Sequence, residues 1–154
     1  MKIRKVKKDD FEAILDLQLQ LEDAEAVFDD NLKKHCYATE EGIKRLKKRI
    51  SKRKNIFYVA VEDNKVVGFI DGYIPEDEWW YVEKGAYIDH LCVDKDYRQR
   101  GIATCLMEKF EETAKSKDAK FIRLLAFPEN VPAITLYSKN EYRCYSSFYY
   151  KKLR

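Results

Sequence analysis

The chain has 154 residues, near the size of one domain built around one core, and no second domain is expected. Its 45% hydrophobic, 37% charged and 14% aromatic content argues against disorder, because it supplies enough apolar area to offset the entropy of ordering the chain. The 30 Lys and Arg against 27 Asp and Glu leave a net charge of +3, too small for nucleic-acid binding by overall field alone.

Ile3 and Val6 open a short extended segment, and Asp9 or Asp10 is placed to cap a helix in which Phe11, Ile14, Leu15, Leu17 and Leu21 recur at helical spacing. Residues 29–37 read as irregular or weakly helical. A second helix is expected from Thr39 or Glu40 to about Lys54, with Ile43, Leu46 and Ile50 on its buried stripe. Residues 56–61 and 66–74 then form an antiparallel hairpin about the turn Asp63-Asn64, closed by Pro75. A loop with Glu76, Asp77, Glu78, Trp79, Trp80 and Tyr81 leads to a strand over 86–93. A helix follows, with Ala103, Leu106, Met107, Phe110 and Ala114 on one face. A strand over 121–127, a short helix over 130–139 and a tyrosine-rich strand over 142–151 complete the chain. The alternation is that of a mixed α/β or α+β domain.

No apolar run approaches the roughly 20 residues of a membrane span. The segment Met1-Lys2-Ile3-Arg4-Lys5 lacks the apolar stretch of a secretory signal, so a cytoplasmic location is expected. Cys36, Cys92, Cys105 and Cys144 form no C-x-x-C pair, and only His35 and His90 accompany them. They read as reduced thiols, and no metal site is expected.

The most informative stretch is a strand, a short polar turn, Arg98-Gln99-Arg100-Gly101-Ile102-Ala103, and then a helix. A helix opening in this way aims unpaired backbone N–H groups at one spot, and its dipole adds positive potential there. A phosphate or pyrophosphate suits such a place. Gly101 permits close approach, Ala103 leaves room, and Arg98 and Arg100 add charge. The pattern is neither a P-loop nor a dinucleotide fingerprint, and an ordinary solvated helix start fits the same residues.

These residues resemble the acyl-CoA signature of the GCN5-related N-acetyltransferase (GNAT) superfamily, Arg/Gln-x-x-Gly-x-Gly/Ala, which stands here as Arg98-x-x-Gly101-x-Ala103. A second motif of that family, Asn-x-x-Ala-x-x-x-Tyr, stands as Asn130-x-x-Ala133-x-x-x-Tyr137. The order of elements also resembles that fold, a mostly antiparallel mixed sheet whose two central parallel strands splay to bind acyl-CoA. Two positions depart from the pattern. Gln99 stands where glycine is frequent, and Glu141-Tyr142 replaces the usual Gly-Phe.

The resemblance implies acetyl transfer from acetyl-CoA to an amine, with no metal. The cosubstrate would lie in a V-shaped gap between strands ending near Val93 and Ala126. The backbone of Leu91 and Val93 would pair with its pantetheine arm. The N–H groups of Gln99, Arg100, Gly101, Ile102, Ala103 and Thr104 would take the pyrophosphate, helped by the Thr104 hydroxyl. Asn130 would hydrogen-bond the arm or help place Tyr137, the acid for the departing thiolate. Asp89 would be the base, at a position where polyamine-acetylating members carry glutamate. Tyr137 also fits a core tyrosine, and Asp89 a strand carboxylate paired with a cation. His90 is expected on the opposite strand face from Asp89. The resemblance further implies a homodimer through the last strand.

The acids and aromatics of residues 76–83, with Asp23, Glu25, Asp29 and Asp30, would suit a cationic acceptor: a small amine, polyamine-like, amino-acid-like, or a peptide amine. They also fit a merely solvated surface. The basic run 44–54 keeps open a different class of function, a non-catalytic acyl-CoA-binding or nucleic-acid-binding module. Its apolar positions at helical spacing favour an exposed helix face instead, and nucleic acid is not an expected partner.

Overall fold

The structure is a computed structural model that describes residues 1–79 and 81–153. In chain order it runs β1 (Lys2–Lys5), α1 (Phe11–Glu25), α2 (Glu40–Ser51), β2 (Ile56–Glu62), β3 (Lys65–Tyr73), β4 (Gly85–Val93), α3 (Ile102–Ser116), β5 (Phe121–Arg123) and α4 (Val131–Lys139). The five strands lie in that order in one sheet. The first four pair antiparallel, and β5 joins β4 in parallel. This mixed sheet flanked by helices matches the fold class expected from the sequence.

Two apolar layers follow from the alternation of β2. Ile56, Tyr58 and Ala60 face α3, where Ile102, Leu106, Met107, Phe110 and Ala114 cover them. Phe57 and Val59 face the other way and pack with Ile14 and Leu17 of α1 and Leu46 of α2. Each fully buried Leu, Ile or Phe contributes about 1.5–3 kcal/mol of transfer free energy, so the helices are held by these stripes more than by propensity. The hairpin turn has positive φ at both Asp63 and Asn64, the type I′ geometry that suits a two-residue connection. Thr39 caps α2 by accepting the Gly42 N–H at 3.1 Å. Asp10 caps nothing in α1. Its carboxylate instead takes two hydrogen bonds from Arg4, both 2.7 Å, and one from the Lys7 N–H.

Three departures from the sequence expectation matter for the site. The strand expected over 121–127 keeps its sheet pairing only through Arg123, whose partner is Tyr87, while β4 runs on to Val93. The strand expected over 142–151 does not form, and among the described residues 143–153 have neither strand nor helix. The third lies inside β4. Asp71 pairs with His90 but the next residue, Gly72, pairs with Ile88, so β4 carries a bulge with Asp89 as the extra residue. A Cβ on Gly72 would lie 1.9 Å from the Tyr87 carbonyl oxygen, so the bulge is built against a position open only to glycine.

Candidate active site

The bulge decides where the polar side chains of β4 go. Ala86, Ile88, Leu91 and Val93 all pack toward α3, a step of two, then three, then two residues. Asp89 and His90 therefore both lie off that face, on the side of α1 and α2, where a regular strand would separate them. The expected opposition of His90 and Asp89 is corrected by that single inserted residue.

On this side a polar cluster is buried against the sheet. Asp71 is fully buried and holds Arg49 from α2, with Nε and Oδ2 3.0 Å apart. Arg49 also donates to Gln18 Oε1 at 2.7 Å and to the Tyr37 hydroxyl at 2.9 Å, and its guanidinium lies over the rings of Tyr37, Phe57 and Phe69. His90 Nδ1 stands 3.0 Å from Asp71 Oδ1, and its Nε2 stands 3.3 Å from Arg49 Nη1. Because guanidinium has no acceptor, Nε2 accepts from Arg49 and Nδ1–H donates to Asp71, so both ring nitrogens are engaged. Arg49 is thus not part of the exposed basic face of α2. Of its neighbours, Arg45 pairs with Glu41, Lys54 with Glu76, and Lys47 lies over Phe11.

Sequence reasoning missed this cluster. A lone acid within the buried run Phe69-Ile70-Asp71-Gly72 signals a partner, since an unpaired buried carboxylate is costly. Arg49, three residues beyond Leu46 on the buried stripe of α2, is the matching signal.

Asp89 itself is solvent-accessible. Partial burial and, next, the charge of Asp71 raise its carboxyl above the ordinary value, against the opposing effect of His90 and Arg49. Glu25, at the end of α1, is raised mainly by burial. Tyr137 on α4 is raised by burial and then by the charge of Glu25, which keeps its phenol protonated across the neutral range. Among the described residues the Tyr137 hydroxyl makes no hydrogen bond, while its ring packs beside Tyr142 at 6.2 Å. His90 acts on Glu25, and Glu25 in turn raises Tyr137, so the end of α1 lies within electrostatic reach of both β4 and α4. Asn130 accepts the Ala133 N–H at 3.2 Å and so caps the helix that carries Tyr137.

The turn before α3 is built differently. Gln99 and Gly101 both have positive φ, 62° and 76°, and no side chain caps the helix. The first bond within α3 is Cys105 N–H to the Gly101 carbonyl, which leaves the N–H groups of Ile102, Ala103 and Thr104 without an acceptor in the helix. A Cβ added to Gly101 would meet nothing within 4 Å. Arg98 and Arg100 brace the loop by donating to the carbonyls of Val93 and Asp96, at 3.1 Å each. Beside this opening, among the described residues, no strand lies opposite Leu91 and Val93 on the β5 side of β4, because β5 ends at Arg123. The result is an open nest of backbone donors just past the end of β4, whose Leu91 and Val93 have no β5 partner among the described residues.

The family model for the acetyltransferase (GNAT) family matches residues 17–142. The chain belongs to that family. Its sequence is 36% identical over 97 residues to an N-alpha-acetyltransferase of Saccharolobus solfataricus, covering 56% of this chain and 56% of that protein. The chain spans about half the length of the curated relatives it matches, 40% to 58%. In fold, this GNAT chain is similar to a mutant of the BH1408 protein from Bacillus halodurans, with TM-score 0.86, 22% identity and full coverage of both chains. It is also similar to aminoglycoside N-acetyltransferase AAC(6')-Iy in complex with CoA, with TM-score 0.77 and 16% identity over 99% of this chain and 94% of that one.

The acidic loop between β3 and β4 is less free than its composition suggests. Glu76 is held by Lys54. Glu78 accepts from the Tyr87 hydroxyl and the Gly85 N–H and sits 3.4 Å from Arg123. Trp79 is exposed, and Trp80 lies outside the described residues. No helix among the described residues is long and apolar enough to cross a membrane. The four cysteines are free thiols, with burial pushing Cys92 up to about 12.

Proposed function

We propose that this chain transfers the acetyl group of acetyl-CoA to a primary amine by direct attack. The observation that carries this reading is the open, uncapped start of α3, with left-handed backbone at Gln99 and Gly101, beside a wedge left by the early end of β5. Membership of the GNAT family supports it, as does the fold shared with an acetyltransferase bound to CoA.

In this reading the pyrophosphate of acetyl-CoA sits on the N–H groups of residues 99–104, within the field of Arg98 and Arg100. The pantetheine arm runs along the free edge of β4 and bonds the backbone of Leu91 and Val93, as an added strand would. Asn130 acts by fixing the start of α4 and hence Tyr137.

An alkyl amine of ordinary pKa about 10.4 is mostly protonated near neutral pH and must lose a proton before it attacks. Asp89 takes that proton directly or through a water. Its raised carboxyl pKa makes it a better base than a free aspartate. The amine nitrogen bonds the carbonyl carbon, the carbon–sulfur bond breaks, and the thiolate takes the Tyr137 proton. The buried cluster of Asp71, Arg49 and His90 holds β4 in its bulged form, so that Asp89 faces the acceptor side. Glu25 adds negative potential for a cationic acceptor, which belongs to the small, polyamine-like, amino-acid-like or peptide amines.

The test is thiol release from acetyl-CoA with amines of each class. At least one class is expected to drive release far above background hydrolysis, and Asp89→Asn is expected to lower the rate and remove its acid-side limb. That limb falls as pH drops, because protonated Asp89 accepts nothing. No amine-dependent release from a protein that binds acetyl-CoA would overturn the proposal.

A further inference from the structure

Several exposed cations of this chain pair with carboxylates: Arg45 with Glu41, Lys54 with Glu76, Lys109 with Glu112 and Lys120 with Asp118. Four others converge on one pit that holds no acid. Lys5 at the end of β1, Lys52 and Arg53 just past α2, and Lys117 just past α3 surround a cavity of about 240 Å³. Half-buried Val6 and Ile50 stand in its wall, and no Asp or Glu lines it. Among the described residues none of the four cationic side chains makes an ion pair or a hydrogen bond. Glu76 feels the charge of Lys52, but its own ion pair is with Lys54.

Lysine and arginine often stand near the ends of helices to bond the last carbonyls. Other groups do that here. The Ser51 hydroxyl donates to the Lys48 carbonyl at 3.1 Å, and Asn55 Nδ2 donates to the Arg49 carbonyl at 3.2 Å. Past α3, Lys84 Nζ donates to the Lys117 carbonyl at 2.9 Å. The turn after α2 is closed by the Asn55 N–H on the Lys52 carbonyl at 3.0 Å, and among the described residues the Arg53 N–H has no acceptor. Charge of one sign in a concave, partly apolar wall focuses its field on the space between.

We infer that this pit binds a small phosphate monoester, its phosphate among Lys5, Lys52, Arg53 and Lys117 and its carbon body against Val6 and Ile50. A phosphate dianion suits several cationic donors at once, whereas a single carboxylate would leave most of them unmatched. The lining holds no carboxylate or imidazole to carry a proton, so the ester is held there and not turned over. Lys44, Lys47 and Lys48 lie outside the pit, so the useful charge gathers at one end of α2 instead of running along it. That arrangement favours a compact anion over a nucleic-acid strand. The 15 residues of α3 span about 22 Å and separate the pit from the turn around Gly101. The inference is therefore independent of the proposed function.

The test is a titration of the full chain with phenyl phosphate, followed amide by amide by NMR. Saturable shifts are expected over residues 51–58 and 113–117. The double variant Lys52→Ala, Arg53→Ala changes only exposed side chains, so it is expected to fold and to bind at least tenfold more weakly. Lys44→Ala, Lys48→Ala removes the same charge from the same helix outside the pit, and is expected to weaken binding less than twofold. Absent or non-saturating shifts at the pit, or equal weakening by the two double variants, would overturn the site. A short single-stranded oligonucleotide that displaces the ester and binds at least tenfold tighter would overturn the ester in favour of nucleic acid. Shifts confined to residues 99–104 would also overturn the pit, while leaving the proposed function standing.

Discussion

Two polar regions flank β4, and they differ in how far their hydrogen-bonding groups are satisfied. In the cluster under the sheet, Asp71, Arg49, His90, Gln18 and Tyr37 hold one another with contacts of 2.7 to 3.3 Å, and both His90 nitrogens are engaged. In the turn before α3, the N–H groups of Ile102, Ala103 and Thr104 have no acceptor in the helix, and the space over Gly101 is open. Apart from Arg49 Nε and Asp71 Oδ2, which meet as an ion pair without a hydrogen bond, the cluster is internally paired and fixes geometry, whereas the turn leaves backbone donors open. Under the proposed function, the polar residues packed beside β4 position it and the turn binds, although polar groups conspicuous in either place would look functional.

The largest effect that sharpens this contrast is on rate. Tyr137→Phe is expected to lower kcat by about 10²–10⁴-fold, the usual weight of a general acid, with CoA affinity unchanged because the nest is untouched. Steady-state rates beside calorimetry measure both, and an unchanged kcat removes the acid role.

Next comes stability. Asp71→Ala leaves Arg49 buried without its counter-charge, a loss of about 3–5 kcal/mol in comparable pairs. The lower end is expected, because the rings of Tyr37, Phe57 and Phe69 still face the cation. Denaturant unfolding reads this, and adding Arg49→Met is expected to restore most of the loss. If Asp71→Ala proves neutral, the cluster does not position β4.

A smaller effect is set by pH. Asp10 sits at the far edge of the sheet from the nest. Burial raises its carboxyl, but hydrogen bonds from Arg4 and the Lys7 N–H outweigh that and hold it below the ordinary value. A depressed carboxyl contributes its full stability above the unfolded pKa, near 3.9, and loses it as pH falls through the folded value. Asp10→Asn is therefore expected to be less stable than the unaltered chain at neutral pH and to approach it in strong acid.

What was legible in the sequence was local. The Asp63-Asn64 turn, the amphipathic faces of α1, α2 and α3 and the turn around Gly101 all depend on neighbours within a few residues, so their patterns were readable. The bulge at Asp89 was not, because it is set by the close approach of Gly72 to Tyr87 across the sheet. Arg49 hid inside a run of exposed lysines and arginines, and only the buried acid opposite it gives it meaning. The strand expected over 142–151 failed for a related reason: strand propensity needs an edge to bond, and among the described residues the tail makes no backbone hydrogen bond to β5.

Calorimetric titration of CoA into the unaltered chain and into Gly101→Ala tests the nest most directly. An alanine at this left-handed position costs about 1–2 kcal/mol of folding free energy, and its methyl meets no atom within 4 Å in the free protein. One-site binding is expected for the unaltered chain, with affinity falling at least tenfold in a folded Gly101→Ala. No heat with the unaltered chain, or equal affinity in the two, would contradict a pyrophosphate seat before α3.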